Sequence, residues 1–208
     1  MKTIYITLIF AFNLTFMQGQ TIQVLPLESF YENDILILDN VYYKDINNLL
    51  DKFKGIWEYN DGTHYFKITF YRQNNHRNTP VGYPRTLYED RIIGRYQYKL
   101  NGQEIYSETS EFPVLSSSGA YNNINSFSVF YEEPTTHPCG RAIIGKVVLN
   151  YSNSGGTEQL LWNRNREISG ATSCYPWDDT PLKTPINMVL TKVGETVGDL
   201  PIFNIGDD

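Results

Sequence analysis

Few residues of this 208-residue chain are equipped for chemistry, and they are scattered. There are three histidines and two cysteines. His137-Pro138-Cys139 sets an imidazole two residues from a thiol, a spacing that suits thiolate activation or two ligands of a metal. No further ligand of matching spacing accompanies it, and Cys139 has a second thiol, Cys174, with which to form a disulfide. Neighbouring carboxylates stand at Glu132-Glu133 and Asp178-Asp179. Adjacent residues of an extended chain point to opposite faces, so neither pair makes an acid–base dyad, and both read as a solvated acidic rim. A calcium site would need more oxygens than Asp178, Asp179 and Thr180 offer. His64 reads as a rim residue at a strand start, and His76 as a solvated loop residue near Arg72 and Arg77. No Gly-X-Ser-X-Gly, phosphate-cradling glycine loop or HEXXH stretch is present. No catalytic residue, metal ligand or cofactor is therefore assigned, and a non-enzymatic role is expected.

The elements that position these residues begin after a leader. Met1-Lys2, the apolar run from Ile4 to Phe16 and the polar Met17–Gln20 read as a cleavable signal peptide over 1–19, too short to span a bilayer. No cysteine near the cleavage zone offers a lipid anchor, so a secreted or periplasmic protein is expected. No later stretch approaches the roughly 20 apolar residues of a transmembrane helix. The formal net charge of −6 gives no reason to expect nucleic acid or an anionic membrane as partner. Asn-, Tyr-, Ile- and Lys-rich usage points to a bacterial source. In an oxidising compartment Cys139 and Cys174 are expected to pair, closing about 35 residues for roughly 3.5–4 kcal/mol of chain entropy.

Residues 20–44 read as an extended lead-in with two apolar patches, VLPL and ILIL, packed against the body. Asp45 is placed to cap a short amphipathic helix carrying Ile46, Leu49, Leu50 and Phe53. From there period 2 dominates. Eight strands are expected: Lys54–Asn60, Thr63–Arg72, Tyr88–Leu100, Glu104–Thr109, Ile124–Glu132, Cys139–Tyr151, Thr157–Asn163 and Ile186–Val193. Asn60-Asp61-Gly62 and Asn101-Gly102 mark tight hairpins, while QNNHRNTPVGYP reads as a polar connection. The expected fold is all-β: one domain over 45–193, an eight-stranded up-and-down antiparallel barrel, with residues 194–208 as an extension. A two-sheet β-sandwich is the alternative.

A short helix leading into Gly55-Ile56-Trp57 at the start of strand one resembles the lipocalins and their calycin relatives. The resemblance implies a barrel whose floor is closed by the helix, with Trp57 inside it under a basic side chain from the end of the last strand. Here that side chain is Lys192, in a row with Ile186, Met188 and Leu190, placed to make a cation–π contact. The same topology brings the loops carrying Cys139 and Cys174 to the opposite end. Three features depart from the pattern: lysine instead of the usual arginine, SNSGG at the sixth-to-seventh turn, and a tight NDG turn where a wide lid loop is common. The stretch from YYKDINNLLDKFKGIWEY to YEDRIIGRYQYKLNGQEI also resembles small exported bacterial proteins of undetermined function.

Phe66, Ile68, Phe70, Tyr96, Tyr98 and Trp162 are the candidates for the barrel interior, with Val129, Leu149, Leu160 and Leu190 beside them. A barrel of this size is either filled by its own side chains or holds one small ligand. Gly94 and Gly145 would leave room, and the leading expectation is a small apolar or aromatic ligand inside. The competing expectation is a filled barrel that contacts a protein or glycan through its disulfide-tied loops. ATSCYPWDD, with Tyr175 and Trp177 flanking a proline, suits either such a surface or a lid over the barrel.

Overall fold

The computed structural model describes residues 22–30, 40–78, 87–107, 114–116, 121–123, 125–133, 143–166 and 183–196. They form twelve strands: β1 (Gln23–Pro26), β2 (Val41–Lys44), β3 (Gly55–Asn60), β4 (His64–Asn78), β5 (Leu87–Leu100), β6 (Gln103–Tyr106), β7 (Val114–Ser116), β8 (Tyr121–Asn123), β9 (Ser126–Glu133), β10 (Ile143–Ser154), β11 (Thr157–Arg166) and β12 (Asn187–Gly194). Two 3₁₀ turns, Leu27–Phe30 and Asp51–Phe53, are the helical elements among the described residues. The protein is all-β.

Local chemistry explains the hairpins. At the β3–β4 turn, Asn60 Oδ1 accepts from the Gly62 N–H, and Asp61 Oδ1 accepts from the Thr63 and His64 N–H groups. Asn101 and Gly102 adopt φ of +51° and +77°, the left-handed pair that a two-residue hairpin requires.

All twelve strands belong to one sheet, in the order β1-β2-β5-β4-β3-β12-β11-β10-β9-β7, with β6 attached to β5 and β8 to β9. This replaces both the eight-stranded up-and-down barrel and the two-sheet sandwich with a ten-strand path. The reason lies on the free edge of β5. That edge receives β2 in parallel at 87–89, β7 antiparallel at 93–95 and β6 at 98–100. Three short strands share a place that one long strand was expected to fill. The three-residue β7 also meets β9, through Ser116 opposite Phe130.

The lead-in supplies β1 and β2, paired in parallel, and β2 buries Val41 and Tyr43. The expected helix from Asp45 is a series of turns ending in the single 3₁₀ turn at Asp51–Phe53. Asn48 sits at φ +53°, which interrupts any helical run. Asp45 nevertheless caps the segment: its two carboxylate oxygens accept from the Leu49 and Leu50 N–H groups at 2.7 and 3.0 Å. The polar stretch after Arg72 is also corrected, because β4 continues to Asn78 past a register shift between Gln73 and His76, with Asn75 at φ +53°. His76 is thus a partly buried strand residue, not a solvated loop residue.

One buried core collects the inward side chains of β3, β4, β5, β9, β10, β11 and β12.

Candidate functional site

The candidate site is a column of side chains with a floor, an aromatic middle and a polar cap. At the floor, β12 runs antiparallel to β3 with Lys192 opposite Trp57. The Lys192 ammonium lies 5.8 Å from the fully buried indole ring and bonds Glu158 at 3.2 Å and Glu195 at 2.7 Å. Burial pulls the Lys192 pKa down, but the two carboxylates outweigh it and hold it above the usual lysine value. Gly55 occupies φ +126°. From the 3₁₀ turn below, the Phe53 carbonyl accepts the Trp57 Nε1–H at 3.0 Å, and the Phe53 ring packs edge-on to Phe127 at 4.4 Å. Gly55, Trp57 and Lys192 therefore meet at one place. Met188 and Leu190 are buried above them, whereas Ile186 precedes β12 and is exposed.

Phe66, Ile68, Phe70, Tyr96, Tyr98 and Trp162 are all fully buried. They pack against one another: Phe66 lies 5.3 Å from Tyr96 and 5.0 Å from Trp162, and Tyr131 closes the group at 5.2 Å from Tyr96 and 5.4 Å from Trp162. These centroid spacings are those of rings in contact. The room expected beside Gly94 is occupied, since a Cβ there would come within 2.8 Å of the Phe70 ring. The Trp162 Nε1–H is buried without a hydrogen-bond acceptor among the described residues.

The cap overturns the expected acidic rim. Glu133 is fully buried. Its Oε1 accepts from the Tyr131 hydroxyl, the Thr184 N–H and the Thr184 hydroxyl, and its Oε2 accepts from the Tyr106 hydroxyl and the Lys183 N–H. Alternation put Glu133 on the opposite face from Glu132 but could not say which face was inward. Burial is the main cause that raises the pKa of Tyr106 and Tyr131, followed by the Glu133 charge for Tyr106 and by Tyr96 and then Glu133 for Tyr131, so both phenols stay protonated and donate. Tyr98 donates to the Lys183 carbonyl at 2.8 Å and shares a 2.7 Å bond with His64 Nδ1, while Arg164 Nη2 donates to the Thr184 carbonyl at 2.6 Å. Residues 183–184 are thereby laced across the end of the column.

A second buried polar cluster joins the lead-in to the sheet. The Asp45 and Asp90 carboxylates lie on either side of Arg72, each 3.7 Å from a guanidinium nitrogen. Asp90 also accepts from the Tyr42 hydroxyl and from the Asp45 and Asn75 N–H groups. Asp90 did not stand out in the sequence, and Glu133 stood out only as half of an expected acidic rim, because a carboxylate in a strand looks the same whether it faces water or buried donors. Cys139, Cys174, His137, Tyr175, Trp177 and the Asp178-Asp179 pair lie outside the described residues, as do residues 1–19 and the extension beyond 196.

Fold and site together define an all-β protein whose inward face is an aromatic column held between a lysine–tryptophan floor and a buried-carboxylate cap. The chain belongs to a family of unknown function, DUF6705, whose family model matches residues 1–152. No curated protein and no solved structure matches the chain.

Proposed function

We propose that this is an exported, non-enzymatic recognition protein, in which the β-sheet and its aromatic core serve as a filled, rigid scaffold and binding takes place on its outside. The observation that carries this reading is the ring-to-ring packing of Phe66, Tyr96, Tyr131 and Trp162, which occupies the space a carried ligand would take. The Trp57–Lys192 floor supports the likeness to lipocalins. Export rests on the leader and on the cysteine pair.

A second reading, a small ligand held in the interior, is favoured by one observation. The Trp162 Nε1–H has no acceptor among the described residues although it is fully buried, and a buried donor left unsatisfied costs about 1–3 kcal/mol. A ligand oxygen would remove that cost.

Native mass spectrometry of the protein exported to an oxidising periplasm separates the two. The scaffold reading expects a bare chain that has lost its leader and is lighter by the two hydrogens of a Cys139–Cys174 bridge. A stoichiometric extra mass that leaves on denaturation would replace it with the carrier reading.

A further inference from the structure

The two halves of the sheet present different outer faces. Across β3–β6 the outward side chains form cross-strand charge pairs, Glu58 opposite Lys67 and Lys99 opposite Glu104, as suits a solvated face. The outer face of β10, β11 and β12 is built otherwise. Ladder register sets its side chains in rows: Val148, Asn163 and Asn187 form one, and Asn150, Leu161 and Val189 the next. Among the described residues of these three strands, Lys146 is the one outward side chain that carries a charge, on a chain of which 19% is charged. Leu161 and Val189 stand directly opposite each other, 44% and 49% exposed, so their apolar surface is contiguous and not scattered. Strand propensity accounts for the valines, but not for the missing charge. Asn150, Asn163 and Asn187 are exposed, and their amides bond nothing among the described residues.

We propose that a second copy of this chain docks here, sheet against sheet, about a two-fold axis close to Leu161 and Val189. A two-fold interface sets one patch against itself, so the patch has to be complementary to itself. Apolar groups meet that condition, and so do amides, which both donate and accept. Ionised groups do not, and a chain of net charge −6 repels its own copy wherever its carboxylates would meet. A partner chosen by charge would be drawn instead to the β3–β6 half. Size sets the strength. Three strands about 4.8 Å apart and about eight residues long give a flat footprint of roughly 400 Å². Side-chain relief enlarges it, but not far beyond the roughly 800 Å² per partner of a standard interface. The pair is therefore reversible, not obligate. Nothing in this pairing depends on how the interior is filled, so it goes beyond the scaffold reading.

The test is sedimentation velocity of the exported protein over a concentration series. The mass is expected to rise from one chain to two between about 1 µM and 1 mM. Added salt should not weaken the pairing, since no ion pair holds the face. Leu161→Glu sets like charges against each other and should weaken association at least about tenfold. Leu161→Lys should do the same, and an equimolar mixture of the two variants should recover the two-chain mass. At the dilute end both variants should melt with the unaltered protein, because the position is exposed. A one-chain mass throughout for the unaltered protein overturns the inference; a lowered melting temperature in Leu161→Glu would then show that a segment of the same chain covers the face. Association that survives both substitutions places the contact elsewhere and overturns it as well, as does a mass that passes two chains. The scaffold reading is judged by extra mass per chain, which association leaves unchanged.

Discussion

Gly55 shows how much one position can constrain. A Cβ built on it would lie 2.6 Å from Lys192 Cε and 2.7 Å from the Gly194 carbonyl oxygen, at a φ that side-chain-bearing residues rarely adopt. Only glycine lets the last strand's lysine cross the first strand's start and reach the Trp57 ring. Trp57 itself is fully buried, so Trp57→Ala should cost about 3–5 kcal/mol in urea unfolding; an unchanged midpoint would take Trp57 out of the floor. At the cap, Glu133→Ala strands two phenols, one threonine hydroxyl and two backbone N–H groups. Each buried donor left unmade costs about 1–3 kcal/mol, and solvent entering the gap recovers part of it, so a loss of at least about 3 kcal/mol is expected. Tyr106→Phe removes one donor and leaves the carboxylate four, and it should cost far less. Equal losses from the two variants would show that the cap does not act as a network.

The β4–β5 pair, of 15 and 14 residues, is the element on which the rest is assembled. Its inner face supplies most of the aromatic column, and its irregular end the Arg72 cluster that ties down the lead-in. At that end His76 stands opposite Glu89 on the ladder. Burial, with a smaller contribution from the Arg91 charge, pushes the His76 pKa down from 6.5 to about 4. The unfolded chain therefore binds a proton at a pH where the folded chain does not, so this group's contribution is complete above 6.5 and is lost as pH falls toward 4. Near the bottom of that window Asp45, which burial holds above its usual 3.8, acts in the opposite sense. Urea midpoints measured across this interval at constant salt should fall with pH, and His76→Gln should flatten the decline. A wild-type midpoint flat between the two values would mean that His76 is solvated.

For the whole molecule, the placement of charge matters more than its total. Three of the settings that engage carboxylates are the Glu133 cap, the Arg72 cluster and the pairs on Lys192. The column of rings has a consequence at the same scale. A core of interlocked aromatics with a laced cap opens only by large-scale unfolding, which suits a scaffold better than a carrier that loads and releases. A bare native mass fits that behaviour, and a retained small molecule contradicts it.

The sequence by itself determined what depends on neighbours in the chain. Period-2 alternation located the seven longer strands and turned Phe66, Ile68, Phe70, Tyr96, Tyr98 and Trp162 inward, because successive side chains of a strand must point to opposite faces. Asn-Gly and Asp-Gly dipeptides marked the hairpins, because few residues accept positive φ. The Gly-X-Trp pattern pointed to the floor through a resemblance. Tertiary structure decided the rest. Which short strands line up along the free edge of β5, whether Gly94 leaves space or receives Phe70, and whether Glu133 meets water or five donors all depend on groups far apart in sequence. Their hydrogen-bond and packing energies exist only once the chain has closed those distances, so no local pattern encodes them.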